Sequence, residues 1–276
     1  MKIRHFIPIF IFAVLLSACG AKKTTSSTDT ATGTKLLVNE LAITERPFLL
    51  LVPHSTNRLF TFVALNGDKA KSGVLDIEYT SGDLLKGARA TLETPIANPY
   101  IKAIILGSCS TGGKCSFDKD LKSGTMKLKL TFDGQKVTHV LKEDFTFVTG
   151  QNNLPDGKVT FTASKATAKE NLILLNSSGL PKATDKEITL YPIVISATNS
   201  KNIVGTLTVS QTGVTGAAIY DGQSYQDLKY TEKDGVLTFS LNNKPWSMAA
   251  NITRDDEKGT TESLNLYLLG PIVLYK

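Results

Sequence analysis

The sequence has few of the residues that most often carry enzyme chemistry. Its 276 residues include three cysteines, three histidines and one tryptophan. His5 lies in the apolar N-terminal segment, while His54 and His139 stand alone in turn-like or strand-like stretches, where a histidine is usually structural. Spacings typical of serine hydrolases, zinc proteases and calcium loops are absent. We therefore expect a protein that is not an enzyme and that holds no cofactor and no metal.

Strong charge of either sign is also missing. The formal net charge is +6, and the lysines are dispersed along the chain without a basic stripe. Nucleic-acid-binding proteins carry a clustered basic surface, so this distribution argues against nucleic acid as a partner. The charge pattern is typical of an ordinary solvated surface.

Only one apolar run is long. Residues 6–16 are almost wholly apolar and follow the basic residues Lys2 and Arg4. The run is much shorter than the ~20 residues of a membrane-spanning helix, and it is typical of a signal peptide. Because no later stretch approaches spanning length, we expect no membrane-spanning segment in the rest of the chain.

The apolar run ends in Leu16-Ser17-Ala18-Cys19, a large branched residue and two small residues before a cysteine. These residues resemble the lipobox of bacterial lipoproteins. The resemblance covers only the leader. It implies that a signal peptidase removes residues 1–18, that Cys19 carries acyl chains such as palmitate, and that the protein is attached to membrane lipid in the bacterial envelope. Gly20 favours the outer membrane. The alternative is an ordinary secretory leader.

Residues 20–34 contain no large apolar side chain. Such a segment cannot bury enough surface to offset the entropy lost on ordering. Together with the lipidated cysteine, residues 19–34 are therefore interpreted as a flexible tether that reaches roughly 20 Å. Removal of residues 1–18 leaves 276 − 18 = 258 residues, enough for one large domain or two modest ones.

The two remaining cysteines, Cys109 and Cys115, form an even pair in an exported chain, which indicates a disulfide. Closing this short loop would stabilise the fold by about 2 kcal/mol in the chain-entropy account. The segment 107–114 has part of the spacing of a phosphate-binding loop. However, Ser108 occupies the place of the first glycine, and no amphipathic helix follows to supply a dipole.

From residue 35 onward the pattern is that of β-strands. Runs of apolar and β-branched residues recur at short intervals, and Asn-Gly or Asp-Gly pairs separate many of them. In the first half these runs are 36–43, 48–52, 59–65, 74–79, 101–106 and 126–132. Residues 83–92 and 166–175 could form short helices, although each is equally consistent with loop and strand.

One hairpin can be drawn in detail. Met126, Leu128 and alternate residues after them share one face of a strand, and Asp133-Gly134 then reverses the chain. If that turn has two loop residues, His139 faces Leu128.

We predict an all-β fold with little helix, an antiparallel β-sandwich, a small β-barrel or both. Residues 204–269 are loosely similar to the up-and-down meander of small ligand-binding barrels. The polar segment 149–157 is the best internal boundary. It predicts a first β domain over 35–150 and a second over 151–276, with a single domain as the alternative.

Trp246 is the one candidate ligand contact. In the alternating pattern of this segment Trp246 shares a strand face with Met248, which predicts that its side chain is buried in the core. If it were instead exposed beside Tyr220, Tyr225 and Tyr230, these rings would suit an aromatic carbohydrate-binding platform.

The leading hypothesis is a non-catalytic binding or assembly component of the envelope, anchored by lipid at Cys19, with an envelope protein or glycan as partner. One alternative is a carrier barrel for a lipid or other apolar ligand, which requires an apolar cavity. The other is an envelope hydrolase with a dispersed carboxylate site, which would leave no local signature and would require two inward carboxylates in a cleft.

Overall fold

The computed structural model describes residues 35–111, 114–253 and 261–276. The lipobox, Cys19 and the tether lie outside these residues. Within the described ranges, no helix is long and apolar enough to cross a membrane.

The described residues contain one 3-10 helix, Thr167–Lys169, and 21 strands. In chain order the strands are β1 Lys35–Val38, β2 Phe48–Pro53, β3 Leu59–Leu65, β4 Ser72–Ser81, β5 Leu84–Leu92, β6 Tyr100–Ile105, β7 Gly107–Cys109, β8 Cys115–Phe117, β9 Leu121–Thr131, β10 Val137–Val148, β11 Gln151–Asn153, β12 Val159–Ala163, β13 Leu172–Asn176, β14 Ile193–Ala197, β15 Ile203–Ser210, β16 Gly216–Tyr220, β17 Tyr225–Asp227, β18 Thr231–Lys233, β19 Val236–Asn243, β20 Trp246–Thr253 and β21 Thr261–Tyr275.

Eleven strands form one large sheet. Nine of them follow the order β17-β16-β21-β14-β13-β10-β9-β4-β5, β20 pairs with the first part of β21, and β1 pairs with the start of β10. The β1–β10 pair is parallel, whereas the other pairings of this sheet are antiparallel. The predicted all-β, antiparallel fold class is therefore confirmed.

Three smaller sheets accompany it, in the orders β2-β3-β6, β11-β12-β15-β19-β18 and β7-β8. Every residue of β2 is buried. Because successive side chains of a strand point to opposite faces, β2 is packed on both sides. Such a strand is apolar throughout rather than alternating, which its sequence Phe-Leu-Leu-Leu-Val-Pro shows.

Strands β13 and β14 separate two hydrophobic cores. On β13, Ile173 and Leu175 belong to a core shared with β2, β3 and β6, whereas Leu172 and Leu174 belong to a core shared with β12, β15 and β19. The Ser196 hydroxyl on β14 donates a 2.6 Å hydrogen bond to the Leu51 carbonyl on β2. The architecture is therefore sandwich-like, with the centre of the large sheet packed on both faces.

The predicted small barrel is wrong for the described residues, where none of the sheets closes on itself. The predicted meander over 204–269 is also wrong, because β15, β18 and β19 lie in the five-stranded sheet while β16, β17, β20 and β21 lie in the large one. The physical reason is that alternation determines which face of a strand is buried. It does not determine which strand lies alongside.

Local predictions had mixed outcomes. Asp234-Gly235 is a two-residue turn with positive φ at both positions, as predicted. His139, by contrast, faces Leu130 and not Leu128, because five residues connect β9 to β10. Of the two ambiguous segments, 83–92 is mostly strand β5, and 166–175 contains the 3-10 turn followed by β13.

The predicted domain boundary at 150/151 stays a prediction. Strand β10 ends close to it at Val148, and the large sheet continues past it in β13 and β14. The described residues form one compact unit.

The first strand is held by side chains beyond its ladder. Asn39, at positive φ, ends β1, and its side-chain amide exchanges two hydrogen bonds with the backbone of Lys142. Arg46 then donates to the carbonyl oxygens of Asn39, Leu41 and Ser178. The N-terminal segment of the described body is thus fastened to the start of β10.

Candidate functional site

A cleft of about 700 Å³, called the first cleft here, lies beside the far end of β10. Its walls come from four segments of the chain. They are residues 56–58, 116–121, 147–149 and 168–172. Phe147, Val148 and Leu172 provide a buried apolar floor, while most of the other lining side chains are polar or charged. This mixture is typical of a ligand-binding cleft.

An arginine stacked on an aromatic ring marks this cleft. The Arg58 guanidinium lies 4.7 Å from the centre of the Phe117 ring. Its guanidinium makes no hydrogen bond or ion pair with the described residues. Arg58 is exposed and contacts the ring face, so its N–H donors are available to a ligand.

Phe117 is positioned by a short, cross-linked hairpin. Cys109 and Cys115 are joined by a disulfide, as the sequence predicts, and are directly paired across β7 and β8. Phe117 ends this hairpin opposite Gly107, where the close approach of the two strands leaves no space for a Cβ. The cross-link therefore restrains the backbone that presents the ring.

The loop that carries Arg58 is held by hydrogen bonds to neighbouring segments. Asn171 donates from its side chain to the carbonyl oxygens of His54 and Ser55, and it accepts a 2.9 Å hydrogen bond from the side chain of Asn57. The backbone carbonyl of Arg58 accepts from Leu106 at 2.8 Å. A site whose supports are fixed in this way needs little ordering when a ligand binds.

Charges in the first cleft fall into two groups. Asp118 accepts from the Tyr79 hydroxyl (2.6 Å) and lies 3.4 Å from Lys86, and burial together with Asp118 raises the pKa of Tyr79. Glu170 lies 2.6 Å from the Lys201 ammonium, which lowers the pKa of Glu170. Both carboxylates are thus engaged. Arg58, Lys119, Lys169 and Asp120 also line the cleft but form no ion pair within the described chain.

A second cleft, of about 550 Å³, lies beside the middle of β10. Its lining includes Arg46, Lys142, Asp144, Asn176 and Tyr191. The Arg46 guanidinium is buried and lies 5.4 Å from the Tyr191 ring centre. Three of its five N–H donors are used on the carbonyl groups named above, which gives this arginine a structural role.

Glu143 is a buried carboxyl group that sequence reasoning missed. Its Oε1 accepts from the hydroxyl and backbone N–H of Ser178, and its Oε2 is buried with no partner in the described structure. Burial raises the pKa of Glu143 to about 8, against the weaker opposing effects of Ser178 and Arg46. The signal was present in the sequence, because Glu143 shares the phase of the apolar residues Leu141 and Phe145 on β10.

Trp246 is half-buried and packs in an aromatic cluster. Its ring centre lies 5.7 Å from that of Tyr220 at an angle of 88°, and Tyr220 packs on Tyr225 at 5.2 Å. The indole N–H donates to the Gly270 carbonyl. Tyr230 lies apart, against Phe239 in the second core. The rings are mutually tilted rather than coplanar, so they do not form a flat stacking surface, and ligand contact at Trp246 stays a prediction.

The two histidines of the body have local partners. His54 contacts Thr56 and lies 3.3 Å from Glu262, and His139 contacts Gln135 and the edge of Phe132. Across the described ranges, no group of three or more His, Cys, Asp or Glu side chains is placed to hold a metal ion.

Comparisons of this chain with protein-family models, with curated proteins and with solved structures found no match.

Proposed function

We propose that this protein is a non-catalytic binding or assembly component of the bacterial cell envelope, anchored by lipid at Cys19, with the first cleft as its binding surface. The observation that carries the proposal is the preformed Arg58–Phe117 pair. The backbone segments that carry the two residues are held by hydrogen bonds or a disulfide, yet the guanidinium makes no hydrogen bond or ion pair within the described chain. Donors on a held backbone without an internal acceptor favour recognition of something outside the chain.

The carboxylates favour binding over acid–base catalysis. A general acid works best with a pKa near the working pH, which requires a raised carboxyl pKa. In the first cleft, Asp118 and Glu170 are paired with lysines and the pKa of Glu170 is lowered, which leaves Asp120 as the one lining carboxylate without an ion pair in the described chain. Glu143 has a raised pKa, but it does not line either cleft. The hydrolase alternative therefore has less support.

The carrier alternative also has less support. A carrier for an apolar molecule needs a mostly apolar cavity that encloses its ligand. Both described clefts are open to solvent and lined by several charged side chains.

Strand β1 and the first cleft lie at opposite ends of β10. Lys35 pairs with Val137 at the start of β10, whereas Val148 at the other end of β10 lines the first cleft. These positions are 148 − 137 = 11 residues apart, roughly 36 Å along an extended strand. The first described strand thus lies at the opposite end of β10 from the cleft.

Replacing Cys19 by serine is expected to release the protein from the membrane, because a serine lacks the thiol that receives an acyl chain. The measurement is fractionation of cells that express either chain, together with metabolic labelling by a palmitate analogue. A labelled wild-type protein in the membrane fraction and an unlabelled variant outside it would support the anchor. Equal membrane association of both proteins would contradict it.

A photo-crosslinking residue at Lys119, on the rim of the first cleft, is expected to give a discrete adduct in envelopes that carry the lipidated protein. The matched control is the same residue at Glu232, which is exposed on β18 in the five-stranded sheet. An adduct of defined mass from position 119 alone would support the cleft as the binding surface. Identical adducts from both positions, or none from position 119, would count against it.

A further inference from the structure

We infer that the first cleft recognises a carboxylate attached to an apolar body, and that Arg58 binds the carboxylate. This inference rests on the proposed function and specifies the ligand class. A planar guanidinium matches a carboxylate through two parallel N–H···O bonds, which a lysine ammonium cannot reproduce. Arg58 offers such a guanidinium in the first cleft, 4.7 Å from the centre of the Phe117 ring.

The charges around Arg58 indicate an anionic ligand. Asp118 and Glu170 are matched by Lys86 and Lys201, so they leave little free negative charge in the cleft. Of the lining groups that form no ion pair with the described residues, three are cationic, Arg58, Lys119 and Lys169, and one, Asp120, is anionic. A single negative group in the cleft would therefore be attracted, and an additional cation would be repelled.

The apolar floor indicates that the anion is part of a larger molecule. Phe147, Val148 and Leu172 line the same cleft as Arg58 but are almost fully buried, so the half-buried side chains of Phe117 and Leu121 supply most of its accessible apolar surface. A bare anion would leave this surface in contact with water, whereas an attached aliphatic group would cover it. We therefore expect an apolar carboxylate to bind more tightly than inorganic phosphate.

Nuclear magnetic resonance titration of the full mature chain tests this inference. The probes are N-acetyl-leucine and octanoate, with N-acetyl-leucinamide and octanamide as neutral analogues and inorganic phosphate as a bare anion. At least one carboxylate is expected to saturate with a dissociation constant below about 10 mM, a realistic scale for so small a probe. The signals that shift are expected to include the Arg58 side-chain N–H and the Phe117 amide. The neutral analogue of the carboxylate that binds should bind at least tenfold more weakly.

The Arg58→Gln variant is expected to bind the carboxylate at least tenfold more weakly than the wild-type protein. The control is Arg89→Gln, which removes an exposed arginine that is paired with Asp76 on another part of the sheet and should leave the affinity unchanged. A tighter fit for N-acetyl-leucine would indicate a peptide carboxyl terminus, and a tighter fit for octanoate would indicate a fatty acid.

Three outcomes would overturn the inference. They are the absence of saturable binding by either carboxylate, equal binding by the neutral analogues, and unchanged affinity in Arg58→Gln. If any of these occurred while the Lys119 adduct persisted, the cleft would still be a binding surface but for another class of ligand. If the adduct were also missing, the proposed function would fail as well.

Discussion

Replacing Glu143 by glutamine is expected to raise the free energy of unfolding relative to the wild-type protein by an amount that grows with pH. Below pH 4.5, which is the ordinary pKa of a glutamate side chain, the carboxyl group is protonated in both the folded and the unfolded protein. Between pH 4.5 and about 8, the unfolded chain releases the proton while burial keeps it on the folded protein, so the wild-type protein loses stability as pH rises. The interval of 8 − 4.5 = 3.5 pH units corresponds to about 5 kcal/mol at 1.36 kcal/mol per unit. Above pH 8 the difference should level off.

Urea denaturation of both proteins at several pH values from 4 to 9 measures this difference. Glutamine keeps the acceptor for Ser178 and the size of the side chain, so the comparison isolates the charge. Asp133→Asn is a suitable control, because it removes a surface carboxylate paired only with Lys71 and should change stability by about 0.5 kcal/mol at most. A Glu143→Gln effect that is constant across the pH range would show that Glu143 does not have a raised pKa in the folded protein.

Replacing Arg46 by methionine is expected to lower the free energy of unfolding by about 3 kcal/mol. The side chain donates to the carbonyl oxygens of Asn39, Leu41 and Ser178, and each lost hydrogen bond costs about 1 kcal/mol. Methionine retains much of the packing volume but supplies no donor. The loss of stability should be largest near Arg46. The substitution should therefore speed amide exchange in β1, relative to the wild-type protein, more than it speeds exchange in β13.

Arg58→Met provides the matched control for this experiment. Arg58 is also stacked on an aromatic ring, but its guanidinium donates no hydrogen bond to the described chain. Its removal should therefore cost only the stacking energy, about 0.5–1 kcal/mol. Equal destabilisation by both substitutions would show that the three hydrogen bonds of Arg46 contribute little. Unchanged exchange in β1 would show that Arg46 does not fasten the N-terminal segment.

Much of the strand content was predictable because local pattern determines it. The run 59–65 coincides with β3, and the alternation in 126–132 places the apolar residues of β9 in the core, since a period of two assigns residues to faces. The continuous apolar run 48–52 corresponds to β2, which is buried on both sides. Neighbouring strands were not predictable in this way, because pairing such as that of β14 with β21 joins segments about 75 residues apart.

The candidate site was predictable only in part. Cys109 and Cys115 could be paired from their number and the expected export. Arg58 and Phe117 are 59 residues apart, and no local pattern connects an arginine in one loop with a ring at the end of a hairpin. Glu143 could have been found, because an acidic residue in the apolar phase of a strand is either paired or neutral when buried.

Ile173 and Leu174 are neighbours in sequence, yet their side chains belong to different cores. A larger side chain at position 173 would shift the backbone, and that shift would also displace Leu174 on the opposite face. Substitutions in β13 and β14 should therefore be epistatic with substitutions in both cores. A second mutation that restores the stability of a variant at position 173 is therefore expected around Phe161 and Phe239 as well as beside residue 173.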